Sequence, residues 1–252
     1  MDLRGKGVFL TGGANGLGRA FTEKLLYRKR GFSSATSPPR PAKQLNANCR
    51  QKYGVDNVIF VKADVTVEEE LDRAAVSKFG AVDICVNNAG IMDERIWDKM
   101  LAVNTVSHIR GSLLALEHMR KDRGGRGGVI INIVSFAGLF PFFYCPAYCA
   151  SKHAMIGFTR SWAISPEQPD HGVRWCCLCP QAADTELMVF REDRIYMKDA
   201  IIQRNEEKGL LPITQVVEAF MKLVLDPDNN GAILEVTREN GARYRKTTNG
   251  GP

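Results

Sequence analysis

Short apolar runs alternate along the chain with longer stretches in which apolar positions recur every three or four residues. The short runs predict β-strands at residues 7–10, 58–61, 82–86, 129–134, 173–178 and 232–236. The longer stretches predict helices at residues 19–29, 68–79, 97–119, 147–165 and 213–225. Because strands that alternate with helices form parallel sheets through βαβ connections, the chain is expected to be an α/β protein with a Rossmann-like, doubly wound, mostly parallel sheet.

The region of the expected second strand departs from this pattern. Residues 31–41 hold few strand-forming side chains and three prolines, Pro38, Pro39 and Pro41. Proline has no N–H group to donate to a neighbouring strand, so it is rare inside a sheet. The sequence therefore predicts a disturbed second-strand region at residues 31–41, either a poorly formed edge or a loop.

The composition is that of a globular protein without an internal division. Apolar residues make up 44% of the 252 positions, enough to bury a substantial core, and no linker rich in proline, glycine and serine lies near the middle. We expect a single domain over residues 1–252, in which residues 240–252 form a flexible tail.

The chain carries a formal charge of +6, but its basic residues are scattered. The densest cluster, at residues 28–30, is interpreted as the solvated end of a helix, because no zinc-finger spacing or RNA-binding aromatic signature accompanies it. We therefore expect no nucleic-acid partner, and part of the excess charge could attract an anionic substrate or cofactor phosphates. No apolar run approaches the roughly 20 residues that cross a bilayer, so no membrane span is expected either.

Seven cysteines lie largely inside apolar runs, most densely at Cys176, Cys177 and Cys179. An odd number of cysteines in such runs is typical of small buried side chains in a reducing compartment, and not of a disulfide framework. A metal site at this cluster would need a matching histidine or cysteine pair elsewhere, which the sequence lacks. We expect no metal ion and, since the N-terminus has no secretory apolar stretch, a cytoplasmic location.

A glycine-rich turn joins the first predicted strand to the first predicted helix. In this context Gly12, Gly16 and Gly18 let the backbone approach a pyrophosphate, and the helix N-terminus points at its charge. A tight structural loop is the alternative for this turn taken alone. Two further segments, residues 64–65 and 87–90, follow predicted strands at their carboxyl ends, where open sheets bind their ligands.

Tyr148 and Lys152 are four residues apart in a predicted helix, so their side chains lie on one face about one turn apart. An alcohol loses hydride only as its hydroxyl proton leaves, and a phenol with its ordinary pKa near 10 is too weakly ionised at neutral pH to be the base. The Lys152 cation, together with a cationic nicotinamide ring, favours the phenolate. Ser135, after a predicted strand, can hydrogen-bond the reacting oxygen. The set predicts a nicotinamide-dependent alcohol oxidoreductase.

Other reactive side chains near this pair are candidate catalytic groups that the sequence does not favour. Cys149 is turned about a hundred degrees from Tyr148 on the helix and has no evident histidine partner. His153 also faces away from Lys152 and is interpreted as a surface or packing residue. Ser135 lacks the Gly-x-Ser-x-Gly turn of a hydrolase nucleophile. A hydrolase is therefore not expected.

The Thr-Gly-x-x-x-Gly-x-Gly turn, the Asn-Asn-Ala-Gly segment and the serine with Tyr-x-x-x-Lys, in this order, resemble the short-chain dehydrogenase/reductase family. The resemblance implies catalytic roles for Ser135, Tyr148, Lys152 and Asn104, the last through a water that links Lys152 to solvent. It also implies a set of cofactor-binding residues, namely Gly12, Asn15, Gly16, Leu17, Gly18, Thr36, Asp64, Val65, Asn88, Ala89, Gly90, Tyr148, Lys152, Pro180 and Thr185.

The resemblance extends over nearly the whole chain and is strongest to members that oxidise the side-chain hydroxyl of prostaglandins or related hydroxylated fatty acids to a ketone. It implies NAD as the cofactor, with NADP as the alternative, and a cytosolic homodimer. Substrate contacts are expected from Ser135, Cys145 and Tyr148. Residues 139–144 and 186–211 are expected to wall an apolar substrate pocket, and core packing is the alternative for the first of these segments.

Three positions depart from the family's pattern. Thr36 takes the place of an acidic residue that binds ribose hydroxyls in NAD-selective members, Gln181 replaces the glycine after a proline, and Cys145 replaces a glutamine that helps to hold substrate. With the altered second strand, they leave a second hypothesis open: a non-catalytic or weakly active relative that binds a nucleotide or dimerises. Retention of the complete serine, tyrosine and lysine set favours the enzyme.

Overall fold

Eight strands form one sheet through the middle of the structure, a computed structural model that describes residues 2–28, 32–36, 40–54, 58–75, 81–188 and 194–246. The strands are β1 (Val8–Thr11), β2 (Phe32–Thr36), β3 (Val58–Lys62), β4 (Ile84–Asn87), β5 (Gly128–Ile133), β6 (Val173–Pro180), β7 (Ile233–Thr237) and β8 (Gly241–Tyr244). Their order is β3-β2-β1-β4-β5-β6-β7-β8, and all neighbours are parallel except β7 and β8. The prediction of a Rossmann-like, doubly wound, mostly parallel sheet is confirmed.

Helices cover both faces of this sheet. They are α1 (Gly16–Arg28), α2 (Arg40–Tyr53), α3 (Glu68–Ala75), α4 (Trp97–Leu101), α5 (Ser107–Met119), α6 (Pro146–Ala163), α7 (Gln168–His171), α8 (Lys198–Lys208) and α9 (Ile213–Leu225). A π-helix, Ala102–Val106, joins α4 to α5, and short 3-10 helices lie at Glu94–Ile96, Lys121–Arg123, Phe136–Gly138 and Glu186–Met188. The continuous helix predicted over residues 97–119 is thus interrupted by one widened turn.

The strand order reverses between β1 and β4. From β1 the chain adds β2 and β3 on one side and then crosses to build β4 to β8 on the other. The register pairs Leu10 with Val86, so the two strands end side by side. A crevice at such a reversal, at the carboxyl ends of the strands, is where open sheets bind their ligands.

Apolar side chains fill the layers on both sides of the sheet. Neighbouring strand residues point to opposite faces, so Leu10 packs in the cluster beneath α1 and α9, and Phe9 packs in the cluster beneath α3, α5 and α6. In the first cluster Phe21 of α1 stacks on Phe220 of α9, with ring centroids 4.2 Å apart. Burial on both faces explains why the strands read as continuous apolar runs.

The second-strand region differs from its prediction. In place of a loop or a poorly formed edge, residues 32–36 extend as β2 between β1 and β3, with Ser34 opposite Leu10 on one side and Phe60 on the other. Backbone pairing on both sides satisfies the peptide groups whatever the side-chain propensity. Residues 31 and 37–39, where two of the prolines lie, are outside the described residues.

The end of the chain also differs from its prediction. Residues 241–244, expected to belong to a flexible tail, form β8 and pair in antiparallel fashion with β7. The Tyr244 hydroxyl donates a hydrogen bond to Asp226, 2.8 Å away, which ties this strand to the end of α9. Residues 247–252 are outside the described residues.

Candidate active site

A cleft of about 670 Å³ opens at the strand-order reversal, along the carboxyl ends of β1, β4, β5 and β6. It is lined by most of the residues that the sequence singles out, namely Gly12, Asn15, Gly16, Leu17, Gly18, Asp64, Val65, Asn88, Ala89, Gly90, Ser135, Tyr148, Lys152, Pro180 and Thr185. These residues come from positions far apart in the chain, and the parallel sheet brings them to one edge.

The glycine-rich turn leaves no room for side chains at two of its positions. A Cβ on Gly18 would lie 2.2 Å from the Gly12 carbonyl oxygen, and a Cβ on Gly12, whose φ is +69°, would lie 2.9 Å from Asn88 Nδ2. Only glycine at these two positions keeps the turn closed, and the turn lines the cleft where α1 begins. A cradle of this shape at a helix N-terminus suits the oxygens of a pyrophosphate.

Thr11 and Asn88 fasten the turn to the segment that follows β4. Thr11 Oγ1 accepts hydrogen bonds from the N–H groups of Asn88 and Ala89, at 3.0 and 3.1 Å. Asn88 Nδ2 in turn donates to the carbonyl oxygens of Thr11 and Gly12, at 3.0 and 3.2 Å. Two walls of the cleft are thus held by mutual side-chain and backbone bonds, so its width is fixed before any ligand binds.

Asp64 lies at the rim of the cleft just after β3. Its Oδ1 accepts hydrogen bonds from the Thr66 N–H and hydroxyl, at 2.9 and 2.7 Å, and these bonds lower the pKa of the carboxyl group below its ordinary value. The carboxylate is therefore ionised at neutral pH and is available as a hydrogen-bond acceptor at this rim.

Tyr148 is buried, 7% exposed, on the first turn of α6. Burial raises the pKa of its phenol above the ordinary value, and a hydrogen bond with the Ser135 side chain acts in the opposite direction. Ser135 is itself oriented by its position before the 3-10 helix Phe136–Gly138, where its Oγ accepts a hydrogen bond from the Ala137 N–H at 3.2 Å. The protein groups alone keep the phenol protonated, so its ionisation needs further positive charge in the cleft.

Lys152 lies one turn further along α6. Its Nζ is 5.7 Å from the centroid of the Tyr148 ring and donates a hydrogen bond to the Ile133 carbonyl oxygen at 3.0 Å. Burial lowers the pKa of Lys152 from 10.5 to about 8, so the side chain is still mostly a cation at neutral pH. The two side chains share one helix face, as their spacing predicts.

The lowered pKa of Lys152 predicts a pH-dependent stability. Between the folded pKa of about 8 and the ordinary 10.5, the folded protein binds fewer protons at this site than the unfolded chain does. Burial of the Lys152 cation therefore lowers the free energy of unfolding by its full amount below about pH 8, and by less and less as the pH rises through this window. Relative to Lys152→Met, the parent's free energy of unfolding should therefore increase by roughly 2 kcal/mol from about pH 7 to about pH 9.5. Urea unfolding of both proteins at the two pH values measures it, and an unchanged difference would contradict a buried cation.

Asn104 lies in the π-helix and is completely buried. Its Oδ1 accepts from the Ile91 N–H at 2.9 Å, and its Nδ2 donates to the Ile91 carbonyl at 2.9 Å and to Ser151 Oγ at 3.2 Å. A Cβ on Gly90 would lie 3.4 Å from Asn104 Oδ1 and 3.8 Å from Lys152 Nζ, so these three residues adjoin. The side chain of Asn104 thereby joins the wall of the cleft to α6, and a π-turn is a common way to aim a side chain at a functional site.

His108, one turn beyond Asn104, was not predicted as part of the site. Its Nε2 is 2.7 Å from the Ala89 carbonyl oxygen, and burial lowers its pKa to about 3, with the Lys152 charge adding to the shift. The neutral ring must therefore donate from Nε2 to this carbonyl. His108 supports the cleft wall at Ala89 from behind, and a lone histidine inside a helical pattern gave no sequence signal for that contact.

A buried chain of amides and hydroxyls connects β4 and β5 to the helices behind the site. Asn87 Nδ2 donates to Asn132 Oδ1 at 2.9 Å and to Ser112 Oγ at 2.8 Å, and Asn132 Nδ2 donates to Thr159 Oγ1 at 2.9 Å. Such a network is costly to leave half satisfied, so it specifies one arrangement of strands and helices. It fixes α6, which carries Tyr148, against the sheet.

One predicted contact, Cys145, does not take its expected place, and two further positions that depart from the family's pattern are Thr36 and Gln181. Cys145 does not line the cleft; it is 2% exposed within the apolar cluster behind Tyr148, so a role as substrate contact is not supported. The backbone of Thr36 ends β2, but its side chain is outside the described residues. Gln181 lines the cleft, and its N–H donates to the Val236 carbonyl at 2.9 Å, which holds the turn after Pro180 against β7.

Only one of the two segments expected to wall the substrate pocket does so. Glu186, Leu187, Met188 and Arg194 line the cleft, while residues 189–193 are outside the described residues. The aromatic segment 139–144 is absent from the lining. Core packing, the alternative for this segment, describes Tyr144, which is buried, whereas Phe140 and Phe143 are exposed.

The described residues contain neither a candidate metal-binding group nor a helix that could span a membrane. There, no group of three or more histidine, cysteine, aspartate or glutamate side chains could hold a metal ion. No helix among the same residues has the length and apolarity needed to span a bilayer. All seven cysteines are free and buried.

Comparison with known proteins gives matches over most of the chain. The sequence profile of the family described as short chain dehydrogenase matches residues 6–195. The 15-hydroxyprostaglandin dehydrogenases [NAD(+)] of Macaca fascicularis and Homo sapiens are 36% and 35% identical, over 97% of this chain and 96% of each relative. A 3beta-hydroxysteroid dehydrogenase 2 of Eggerthella lenta is 34% identical over 74% of both chains. The crystal structure of levodione reductase superposes with a TM-score of 0.79 at 23% identity, covering 93% of this chain and 97% of that one, which shows the shared fold.

Proposed function

Because this chain belongs to the short chain dehydrogenase family, we propose that it is an enzyme that oxidises a secondary alcohol to a ketone with NAD as the hydride acceptor. The observation that carries the proposal is the convergence of Ser135, Tyr148 and Lys152 on the cleft that also holds the glycine-rich turn. The coarse class, an oxidoreductase, follows from the family. The substrate, the cofactor and the residue roles are the proposed part.

The residues of the cleft fit a dinucleotide. The pyrophosphate would lie on the backbone of Gly12 to Gly18, a turn in which a Cβ at Gly12 or Gly18 would clash with its neighbours. Asp64 and Val65 would flank the adenine, and Asn88, Ala89, Gly90, Pro180 and Thr185 would line the part of the cleft nearer Tyr148. NAD, when bound, supplies the ring that accepts hydride and a positive charge that favours the phenolate. NADP is the alternative that the Thr36 position leaves open.

The protein's own groups then carry the proton. Ser135 Oγ orients the alcohol oxygen beside Tyr148 and Tyr148 Oη takes its proton, so the carbon–oxygen bond gains double-bond character as hydride departs. Lys152, held by the Ile133 carbonyl, keeps its cation close to the Tyr148 ring. Asn104 supports the path of the proton to solvent by fixing Ile91 and Ser151 around this centre.

We propose a prostaglandin or a related hydroxylated fatty acid as the substrate. The support is the activity named for the relatives that match 97% of the chain, together with apolar side chains such as Ile91, Met92, Leu187 and Met188 in the cleft. These side chains suit the hydrocarbon part of a lipid alcohol. No observation favours the non-catalytic alternative, because Ser135, Tyr148 and Lys152 all line the cleft.

We also propose that the enzyme is a single domain, is located in the cytoplasm and works as a homodimer. Free, buried thiols are in keeping with a reducing compartment. Three apolar side chains on α4, the π-helix and α5 are exposed and could be buried by a second copy of the chain, namely Trp97, Val106 and Leu113.

Purified protein tests the proposal directly. With saturating NAD and a prostaglandin or hydroxylated fatty acid, NADH should appear in proportion to the ketone formed, and the same assay with NADP should be slower. The matching keto lipid with NAD is the control and should give no NADH. Absence of turnover with any secondary alcohol, with either cofactor, would reject the proposed function.

A further inference from the structure

Glu94 is a buried carboxylate with partners far away in the sequence. It is 2% exposed and begins the 3-10 helix Glu94–Ile96. Its Oε1 accepts a hydrogen bond from the Tyr148 N–H at 2.9 Å, and its Oε2 accepts one from the Ala147 N–H at 3.0 Å. One side chain therefore holds two consecutive peptide groups at the start of α6, the second of them the peptide of Tyr148.

The first turn of α6 has no cap of its own. The side chain of Cys145 at the N-cap position accepts no hydrogen bond from a backbone N–H of the helix, and Pro146 at the next position has no N–H group. The N–H of Cys149 is bound by the Cys145 carbonyl at 2.9 Å, which leaves the N–H groups of Ala147 and Tyr148 to Glu94. The helix start is thus satisfied by a residue more than fifty positions upstream, where a local serine, threonine or aspartate is usual.

The hydrogen bonds that the Glu94 carboxylate accepts are charge-assisted and therefore stronger than bonds between neutral groups. A carboxylate that accepts from N–H groups at a helix N-terminus gains from both the ionic character of the bonds and the positive end of the helix dipole. Glu94 also donates its own N–H to the Arg194 carbonyl oxygen at 2.7 Å, and Arg194 lines the cleft. The residue therefore joins the catalytic helix to the cleft wall at Arg194.

We propose that Glu94 is a positioning residue: it sets the place of Tyr148 against Ser135 and Lys152 by clamping the first turn of α6, without touching the substrate or cofactor itself. The proposal rests on the function proposed above, in which Tyr148 is the base. Reaction rates fall steeply when a catalytic group moves by about 1 Å, so a small shift of this turn should reach the chemical step.

Two substitutions loosen the clamp by different amounts. Glu94→Gln keeps the size of the side chain but offers one acceptor oxygen, so one of the two peptide N–H groups loses its bond. Glu94→Ala removes both bonds. We expect kcat to fall roughly tenfold in the glutamine variant and roughly a hundredfold in the alanine variant, while the KM for the alcohol and the Kd for NAD stay within about twofold of the parent.

Asp83 provides the matched control. It is also a buried carboxylate that accepts a backbone N–H, from Gly7 at 2.7 Å, but it precedes β4 at the opposite end of the sheet from the cleft. Asp83→Asn should lower the melting temperature yet leave kcat at the parent value well below that temperature. A second control, the exposed Glu117→Gln on α5, makes the same change of charge and should change neither quantity.

The outcomes separate a positioning role from a structural one. A loss in kcat alone, graded from glutamine to alanine and absent in the controls, is the expected result; if the alanine variant does not fold, the glutamine variant decides. Parent kcat in the folded glutamine variant, or a loss that lies wholly in KM, overturns the positioning role. An inactive parent protein would instead overturn the proposed function, so the two failures are distinguishable.

Discussion

Replacing Tyr148 with phenylalanine is expected to lower kcat for alcohol oxidation by about a thousandfold, because the variant has no group that can take the hydroxyl proton. Only the phenol oxygen is lost, so the ring still fills its buried place in α6 and the cofactor cleft keeps its shape. The Kd for NAD should therefore change by no more than about threefold. Steady-state kinetics and a cofactor-binding titration on the same preparation measure the two quantities.

A matched control uses a tyrosine outside the cleft. Tyr27 on α1 is 74% exposed, and Tyr27→Phe should retain the parent kcat. Turnover by Tyr148→Phe at more than about a tenth of the parent rate would mean that another group is the base, and the proposed mechanism would then be wrong.

Introducing one methyl group into the glycine-rich turn should strongly weaken the binding of the cofactor. In Gly18→Ala the new Cβ would lie 2.2 Å from the Gly12 carbonyl oxygen and 2.5 Å from Asn88 Nδ2, so the turn must open. The backbone N–H groups then no longer converge on the pyrophosphate, and the Kd for NAD should rise at least a hundredfold, about 2.7 kcal/mol. Isothermal titration with NAD measures this change.

The control for this substitution is a glycine with open space around it. Gly157 in α6 has no atom within 4 Å of an added Cβ. Because alanine is the better helix former, Gly157→Ala should leave the Kd unchanged and stabilise the fold by up to about 1 kcal/mol. If Gly18→Ala binds NAD as well as Gly157→Ala does, the turn is not the pyrophosphate site.

The parts of the structure that could be predicted from sequence are those with a strong local pattern. The buried strands β1, β4, β5 and β6 are continuous apolar runs, and α9 is strongly amphipathic. These patterns predict the bounds of the five elements to within two residues. The spacing of Tyr148 and Lys152 places them on one helix face, and the structure has them there. The resemblance to the family that these motifs suggested is confirmed by the family match.

The parts that could not be predicted depend on partners that are distant in the sequence. The strand β2 has polar, weakly strand-forming residues and exists because β1 and β3 pair with it on either side. Helix α2 has a mostly polar sequence, and Leu45 and Cys49 are the buried ones among its described side chains, so its periodicity is faint. The strand β8 is recognisable only from its pairing with β7.

The same reason explains what was missed in the site. Glu94 and His108 act through single contacts to Tyr148 and Ala89 that no sequence spacing encodes. Conversely, Cys145 was expected in the pocket because it takes the position of a substrate-holding glutamine of the family, but its side chain lies in the apolar cluster. The protein's own groups raise the pKa of Tyr148, because burial outweighs the hydrogen bond with Ser135. The fall expected from Lys152 together with a cationic nicotinamide ring stays a prediction.

The ionisation of Tyr148 on cofactor binding is the most direct test of the central claim. At about pH 8 and saturating NAD, ultraviolet difference spectroscopy should show close to one tyrosinate per chain in the parent protein, and none in Tyr148→Phe. Lys152→Met at full occupancy of NAD should show far less than the parent. An equal tyrosinate signal in parent and Tyr148→Phe, or no signal in the parent while NADH is being produced, would contradict the account.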